Sequence, residues 1–465
     1  MMLRKSPTYL YIVLFIALFL SEPDYQSSIN AKQLLLYSSL FLLSIAIHFF
    51  SLRKEKNWFR LDVLFILGFG IVHFQWPIMV AFSEIYPERM LRAWSDSAYM
   101  NYGTWLSTLG AIAWLYGYSL ISLKTKTSSK KYNYDYIPVF WFTLMVYTMF
   151  LLTAGNAYLT GKIYKGYGYG RIGETLGAYF SLLTLISMLV LTTFVIINKR
   201  INYKSNVMQW FIGSDKKYLI MAGSYVFLHL AIGDRGGAIF LTFAFLVLFG
   251  QFVRPIKFKE FILIAICGAI ILTLIGLGRS SDSGENILLA GVEEAEFTSG
   301  YDVTVELANA ARNLYKSLST VPEYHDYFYG KLWVSNLLAL VPFAQSAYLK
   351  LSGDVGYELG SGRYITYLVH GTNPPSGEGT SLIADVYLNF GLVGVVLFLF
   401  LLGMFFKKVH NELIIQKNYY WLVVAALLAS GAFYLGRGSL LDQLRPIIWG
   451  LLLAVLFVRR KKSIA

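Results

Sequence analysis

The stretch that decides the fold is residues 359–403, LGSGRYITYLVHGTNPPSGEGTSLIADVYLNFGLVGVVLFLFLLG. Its first half is polar and rich in glycine, and its second half is a long apolar run. An apolar run of about 20 residues can cross a bilayer as a helix. Arg363, His370, Glu378 and Asp385 lie just before this run or at its start. Groups able to bind phosphate or move protons are therefore expected at a membrane surface.

The composition of the whole chain also indicates a membrane protein. Of its 465 residues, 56% are hydrophobic and only 14% are charged, which is more apolar surface than a soluble protein of this size can bury. The sequence contains no zinc-type Cys/His spacing, no Walker phosphate-binding loop and no dinucleotide fingerprint, so neither a metal nor a cofactor is expected. We predict an all-α polytopic membrane protein that forms one integral membrane domain over residues 1–465.

Apolar runs predict about twelve membrane-crossing helices. They cover residues 7–21, 33–51, 61–83, 98–122, 136–154, 174–197, 218–233, 236–253, 260–277, 381–406, 418–436 and 444–458. The loop charges indicate that both termini are cytoplasmic, because this orientation puts about 25 of the 40 Lys and Arg residues, but only about 6 of the 27 Asp and Glu residues, on the cytoplasmic side. The basic balance therefore reflects topology and not nucleic-acid binding.

One connection is much longer than the others. Residues 278–381, between predicted helices nine and ten, form a large extracytoplasmic loop. Within it, residues 301–319 have helical periodicity. Residues 331–349 are apolar, but they are too short for a crossing and contain Pro342. We expect this second stretch to lie in the outer membrane interface.

Arg235 is the arginine that departs most clearly from the charge rule. It lies in the short segment GDRGG between predicted helices seven and eight, on the side where basic residues should be scarce. The glycines around it, Gly233, Gly236 and Gly237, predict a tight hairpin that a ligand could approach. A guanidinium at a helix N-terminus is suited to bind phosphate. The structural alternative is that Arg235 pairs with Asp234 or contacts lipid head groups.

Three more arginines are candidates for substrate binding. Arg279 follows the ninth predicted helix, Arg363 lies in the large loop, and Arg437 lies in the last outer turn. Each has a structural alternative, since arginines at helix ends often extend to the lipid head groups.

The candidate acid–base groups lie in the polar half of residues 359–403. His370 and Glu378 are alternative bases for an attacking hydroxyl, and either could instead be a structural loop residue. Arg235 would stabilise the charge of the leaving group. Asp385 is assigned to the substrate-binding set, with helix capping or a salt bridge as its structural alternative.

Two segments carry a resemblance to a known family. Residues 232–248, IGDRGGAIFLTFAFLVL, resemble the segment with an Arg–Gly pair that opens a helix in bacterial O-antigen polymerases (Wzy) and the related O-antigen ligases. Residues 373–403 resemble the closing segment of that family, in which a loop with Pro and Gly enters a helix with an FG-x-x-G pattern. The large outer loop before this helix is also similar.

The resemblance implies a GT-C-like glycosyltransferase of the cell inner membrane, with its active site facing the periplasm. Such enzymes join oligosaccharide repeat units carried on undecaprenyl diphosphate into surface polysaccharide, either the O-antigen of lipopolysaccharide or capsule. The family needs no nucleotide sugar or metal, and it implies a flippase and a chain-length regulator of the same pathway as partners. Two alternatives remain: a ligase-type transferase of finished glycan, and a flippase or transporter of lipid-linked glycan. The absence of an internal repeat and the one-sided large loop argue against transport.

Overall fold

The structure, a computed structural model, describes residues 6–53, 55–83, 96–122, 133–159, 173–199, 207–280, 287–293, 303–415 and 418–461. In the first half of the chain the α-helices are α1 (Ser6–Leu20), α2 (Ala31–Ser51), α3 (Leu61–Ala81), α4 (Met100–Leu120), α5 (Ile137–Thr153), α6 (Gly155–Leu159), α7 (Gly173–Asn198), α8 (Val207–Gly213), α9 (Lys216–Ile232) and α10 (Arg235–Phe252). In the second half they are α11 (Phe258–Ser280), α12 (Ile287–Glu293), α13 (Val305–Ala308), α14 (Ala311–Leu318), α15 (Val334–Leu338), α16 (Ala344–Ser352), α17 (Ser361–His370), α18 (Leu382–Ile415), α19 (Tyr419–Gly431) and α20 (Leu444–Phe457). Short 3-10 turns lie at Ser97–Tyr99, Lys331–Trp333, Gly356–Leu359 and Tyr434–Arg437, and two strands, β1 (Asn133–Asp135) and β2 (Arg459–Lys461), pair antiparallel.

Every predicted apolar segment coincides with a helix over the residues that the structure describes. Six of the described helices, α2, α3, α7, α10, α11 and α18, are long and apolar enough to cross a membrane. The fold is therefore consistent with the predicted all-α membrane class. The number of crossings and the orientation of the termini stay predictions.

Helix α4 lies at the centre of the molecule, buried on nearly all sides, and packs along α18. The backbones of the two helices touch at two glycines. A Cβ atom at Gly117 would overlap the backbone oxygen of Phe400, and one at Gly403 would overlap that of Trp114. Small residues allow this close approach of helices in a membrane protein. Helices α4 and α18 are therefore closely packed, and α4 holds α18 in position.

We expect a Gly117→Ala variant to unfold at a lower temperature than the wild-type protein. The added methyl group must displace the α18 backbone, and such overpacking costs about 1–3 kcal/mol. Thermal unfolding of the purified protein in detergent measures this effect. Gly223→Ala is the matched control, because a Cβ atom at this helical glycine of α9 meets no atom within 4 Å. Equal unfolding temperatures for the two variants would contradict the packing argument.

Helix α18 bends at Gly391, whose φ of 63° and ψ of −156° are not helical. The carbonyl groups of Leu388 and Asn389, just before the bend, accept hydrogen bonds from the backbone N–H groups of Phe328 (3.0 Å) and Tyr329 (2.9 Å). A positive φ favours glycine at this position. The continuous helix predicted over residues 381–406 is therefore corrected to a longer, bent helix. The reason is that a distant loop supplies the hydrogen bonds at the bend.

Residues 303–381 belong to the predicted extracytoplasmic loop, and we call them the outer segment after that prediction. They consist of short helices joined by turns. The periodic stretch 301–319 forms two helices, α13 and α14, from residue 305 onwards. The apolar stretch 331–349 is likewise divided, because α15 ends before Pro342 and α16 begins after it. Several apolar side chains of this stretch are exposed: Leu337, Val341 and Phe343. This exposure supports the interfacial position expected from the sequence.

The predicted tight hairpin between α9 and α10 is confirmed. Only Gly233, with a left-handed φ of 86°, and Asp234 separate the two helices. Asp234 caps α10 by accepting the backbone N–H two residues later (3.2 Å), and it also accepts the Tyr158 hydroxyl (2.5 Å). A Cβ atom at Gly237 would lie 2.5 Å from the His229 ring. This glycine therefore lets the two helices pack, instead of opening the backbone to a ligand.

Candidate functional site

Glu378 is the centre of a three-residue cluster at the end of the outer segment. Its Oε1 atom lies 2.7 Å from Nε2 of His370, and its Oε2 atom forms an ion pair with the Arg312 guanidinium. Its backbone is also held, because the N–H donates to the Thr366 hydroxyl (2.9 Å) and the carbonyl accepts from the Asn313 amide (3.2 Å). We call His370, Glu378 and Arg312 the acid–base cluster.

The members of the acid–base cluster differ in exposure. The side chain of Glu378 is 6% exposed, that of His370 25% and that of Arg312 31%. An ionised carboxylate only accepts hydrogen bonds, so His370 donates from Nε2 and leaves Nδ1 to accept a proton. This is the arrangement of a base oriented by a buried carboxylate. The sequence treated His370 and Glu378 as alternatives, whereas the structure joins them.

Helix α17 carries Arg363 as well as His370. Residues seven positions apart share one face of a helix, separated by about 10 Å along its axis. Arg363 is exposed, and its guanidinium lies beside the side-chain amide of Gln345. The binding of a charged group by Arg363 stays a prediction. The adjacent Tyr364 is buried, and burial raises its pKa to about 12, so this phenol is not a base at neutral pH.

Arg235 begins α10 and extends towards α11 and α13. Its Nη1 donates to the carbonyl oxygen of Leu272 (2.9 Å), and its Nη2 lies 2.8 Å from each carboxylate oxygen of Glu306. A Cβ atom at Gly276 would lie 2.8 Å from Nη1, so the glycine leaves the space that the guanidinium fills. The structural alternative of an ion pair with Asp234 is wrong, because Asp234 caps the helix and Arg235 pairs with Glu306.

Arg437 lies on the same part of the surface as Arg235. It is exposed at the end of the last 3-10 turn. Tyr434 of the same turn packs against a buried cluster that includes Leu307, the neighbour of Glu306, and its ring lies 5.6 Å from that of Phe240 in α10, which Arg235 begins. We call Arg235, Glu306 and Arg437 the arginine patch. It holds two guanidinium groups and one carboxylate.

Asp385 is fully buried in the first turn of α18. Its carboxylate accepts four hydrogen bonds: from the Trp333 indole (2.9 Å), the Ser361 hydroxyl (2.5 Å), the Ser439 hydroxyl (3.0 Å) and the Leu440 N–H (2.9 Å). These donors come from three separate parts of the chain. Asp385 therefore ties the start of α17 and the loop before α20 to α18. This environment supports a positioning role through hydrogen bonds, in place of the helix cap or salt bridge that the sequence offered as the structural alternative.

The predicted phosphate-binding arginines have separate surroundings. Arg235 contacts Glu306, whereas Arg363 lies beside Gln345. Arg279 lies in the last turn of α11, and its side chain falls outside the described residues. A shared site for Arg235, Arg279 and Arg363 stays a prediction. Among the residues described, no group of three or more His, Cys, Asp or Glu side chains could hold a metal ion.

Two members of these clusters were not singled out from the sequence. Glu306 lies on α13 and Arg312 on α14, so one short part of the outer segment serves both clusters. Arg312 had the same signal as Arg235, since it is a basic residue on the side where few are expected. Glu306 had no such signal, because acidic residues are common in the outer loops.

A family model described as O-antigen polysaccharide polymerase Wzy matches residues 8–464, nearly the whole chain. No curated protein and no solved structure matches this chain. The matched residues include the acid–base cluster, the arginine patch and the bent helix α18. The chain therefore belongs to the O-antigen polysaccharide polymerase family Wzy.

Proposed function

We propose that this protein is a membrane glycosyltransferase that polymerises oligosaccharide repeat units carried on undecaprenyl diphosphate. The product is surface polysaccharide, O-antigen or capsule, and the reaction takes place at the outer face of the cytoplasmic membrane. Membership of the Wzy family carries this proposal. The basic cytoplasmic loops predicted from the sequence support the orientation. A flippase that supplies the repeat units and a chain-length regulator are the expected partners.

The acid–base cluster activates the acceptor, a sugar hydroxyl of one lipid-linked unit. Nδ1 of His370 takes the hydroxyl proton as the acceptor oxygen forms a bond to the anomeric carbon of the donor glycan. The bond between that carbon and the phosphate oxygen breaks, and undecaprenyl diphosphate leaves with the electron pair. Glu378 stabilises the imidazolium that forms, and Arg312 holds Glu378 in place. In the alternative assignment, Glu378 itself takes the proton.

The two arginines of the arginine patch, Arg235 and Arg437, bind the diphosphate of the donor. Arg235 and Arg437 stabilise the negative charge that develops on the leaving group. Arg363, on the same helix face as His370, and Arg279 are the further candidates for binding charged parts of the substrates. Asp385 acts indirectly, because it holds α17 against α18.

A strain that lacks this protein tests the proposal. We expect its surface lipid to carry a single repeat unit, because units are made and exported but not joined. Free lipid-linked polymer of normal length would instead indicate a ligase. Lipid-linked units that stay on the cytoplasmic side would indicate a flippase. Either of these two results would overturn the proposed reaction.

We expect a Gly276→Ala variant to polymerise at least about tenfold more slowly than the wild-type protein. The added methyl group would lie 2.8 Å from the Arg235 Nη1 atom, so the guanidinium must shift from its position beside the Leu272 carbonyl, and misplaced catalytic groups lose much of their effect. The rate of chain extension by purified protein measures the loss. Gly268→Ala on the same helix is the matched control, because a Cβ atom there meets nothing within 4 Å. Similar rates for both variants would show that the position of Arg235 is unimportant.

A further inference from the structure

The two side chains of the Arg235–Glu306 ion pair differ in their exposure to solvent. The Arg235 side chain is 17% exposed, whereas that of Glu306 is 51% exposed. Glu306 belongs to the four-residue helix α13, whose Leu307 and Ala308 are buried. The carboxylate therefore approaches Arg235 from the solvent side of the outer segment.

Arg235 has a second hydrogen-bond partner besides Glu306. The Leu272 carbonyl accepts its Nη1 (2.9 Å) from the α11 backbone, and Gly276 leaves space for the guanidinium. Glu306 occupies only Nη2, through both of its oxygens. Loss of Glu306 would thus leave a guanidinium in place with one open donor edge.

The charge of Glu306 decides which ligands can replace it. A partly exposed ion pair contributes little to stability, so its displacement by another anion is easy. The head group of an anionic phospholipid such as phosphatidylglycerol carries one net negative charge, as Glu306 does, and gains little electrostatic energy by the exchange. The head group of phosphatidylcholine has no net charge. A diphosphate carries at least two charges, and attraction grows with the charge. Arg437, exposed in the 3-10 turn whose Tyr434 packs against the cluster with Leu307, is the candidate second cation for the second phosphate.

We propose that Glu306 is a specificity-determining residue of the arginine patch. When substrate is absent, Glu306 pairs with Arg235. This pairing excludes the singly charged phospholipid head groups that surround the protein in great excess. A lipid diphosphate displaces Glu306. The diphosphate part of this inference rests on the proposed function, whereas the exclusion of phospholipid can be measured without any reaction.

The test compares the Glu306→Gln variant with the wild-type protein, both full length. In vesicles of phosphatidylcholine that contain phosphatidylglycerol, we expect the variant to bind phosphatidylglycerol about three- to tenfold more tightly. Polymerisation by the variant should be inhibited by phosphatidylglycerol, whereas the wild-type rate should not change. Asp326→Asn, which removes an exposed carboxylate from the same outer segment, controls for the change in net charge.

Two results would overturn the role of Glu306. The first is unchanged phosphatidylglycerol binding in the Glu306→Gln variant. The second is a variant that is already inactive in vesicles of pure phosphatidylcholine, since Glu306 would then be needed for catalysis. Failure of the proposed function would look different: an Arg235→Ala variant would polymerise normally, whatever the lipid binding of the Glu306 variant.

Discussion

A His370→Gln variant is expected to extend polymer at least about 100-fold more slowly than the wild-type protein, because it lacks the base that takes the acceptor proton. The side chain is partly exposed, and the ion pair between Glu378 and Arg312 does not involve it. The variant should therefore fold and reach normal abundance in the membrane. Chain extension by purified protein on lipid-linked repeat units measures the rate. His325→Gln, another exposed histidine of the outer segment, is the matched control.

Glu378→Gln separates the two assignments of the base. His370 and Arg312 contact different oxygens of Glu378, so a glutamine turns its NH2 group, which only donates, towards one of these two donors. It also leaves Arg312 without a counter-charge. We expect this variant to be inactive and also less stable, because it breaks a partly buried ion pair whose carboxylate is only 6% exposed. Should His370→Gln keep a normal rate while folded Glu378→Gln is inactive, Glu378 would be the base. Normal rates for both would rule out the acid–base cluster as the catalytic site.

The second large effect is expected at Arg235. An Arg235→Lys variant keeps the charge, but a lysine ammonium cannot donate in the forked geometry that reaches the Leu272 carbonyl and an anion together. We expect kcat/KM for the lipid-linked donor to fall by about 10²–10³-fold, as when a donor to a developing negative charge is removed. Surface polysaccharide from a strain that carries the variant should shorten accordingly.

The control for this result is Arg254→Lys. Arg254 also forms a bidentate ion pair, with Glu260. This pair lies between the end of α10 and the start of α11, at the opposite end of both helices from Arg235. We expect this variant to make polymer of normal length. An Arg235→Lys variant that matches it in rate and in polymer length would remove the arginine patch from the mechanism.

The family and the helical architecture could be predicted from the sequence because both depend on local information. Apolar runs of the length of a bilayer predict helices whatever the neighbours are. The GDRGG segment predicted the hairpin at Arg235, because glycine permits the left-handed conformation that Gly233 adopts. Arg235, Arg363 and Arg437 were also recognisable as basic residues on the side where the charge rule expects few.

Only the tertiary structure decided which of these groups meet. Arg312 and Glu378 are 66 residues apart in sequence, and Arg235 and Glu306 are 71 apart. No local pattern records such a pairing, because it depends on how short helices of the outer segment pack on the bundle. The bend at Gly391 has the same origin. The N–H groups that donate to the carbonyls just before the bend come from a loop about 60 residues earlier. The sequence determined most of the candidate residues, all but Glu306 and Arg312, and long-range packing decided their partners.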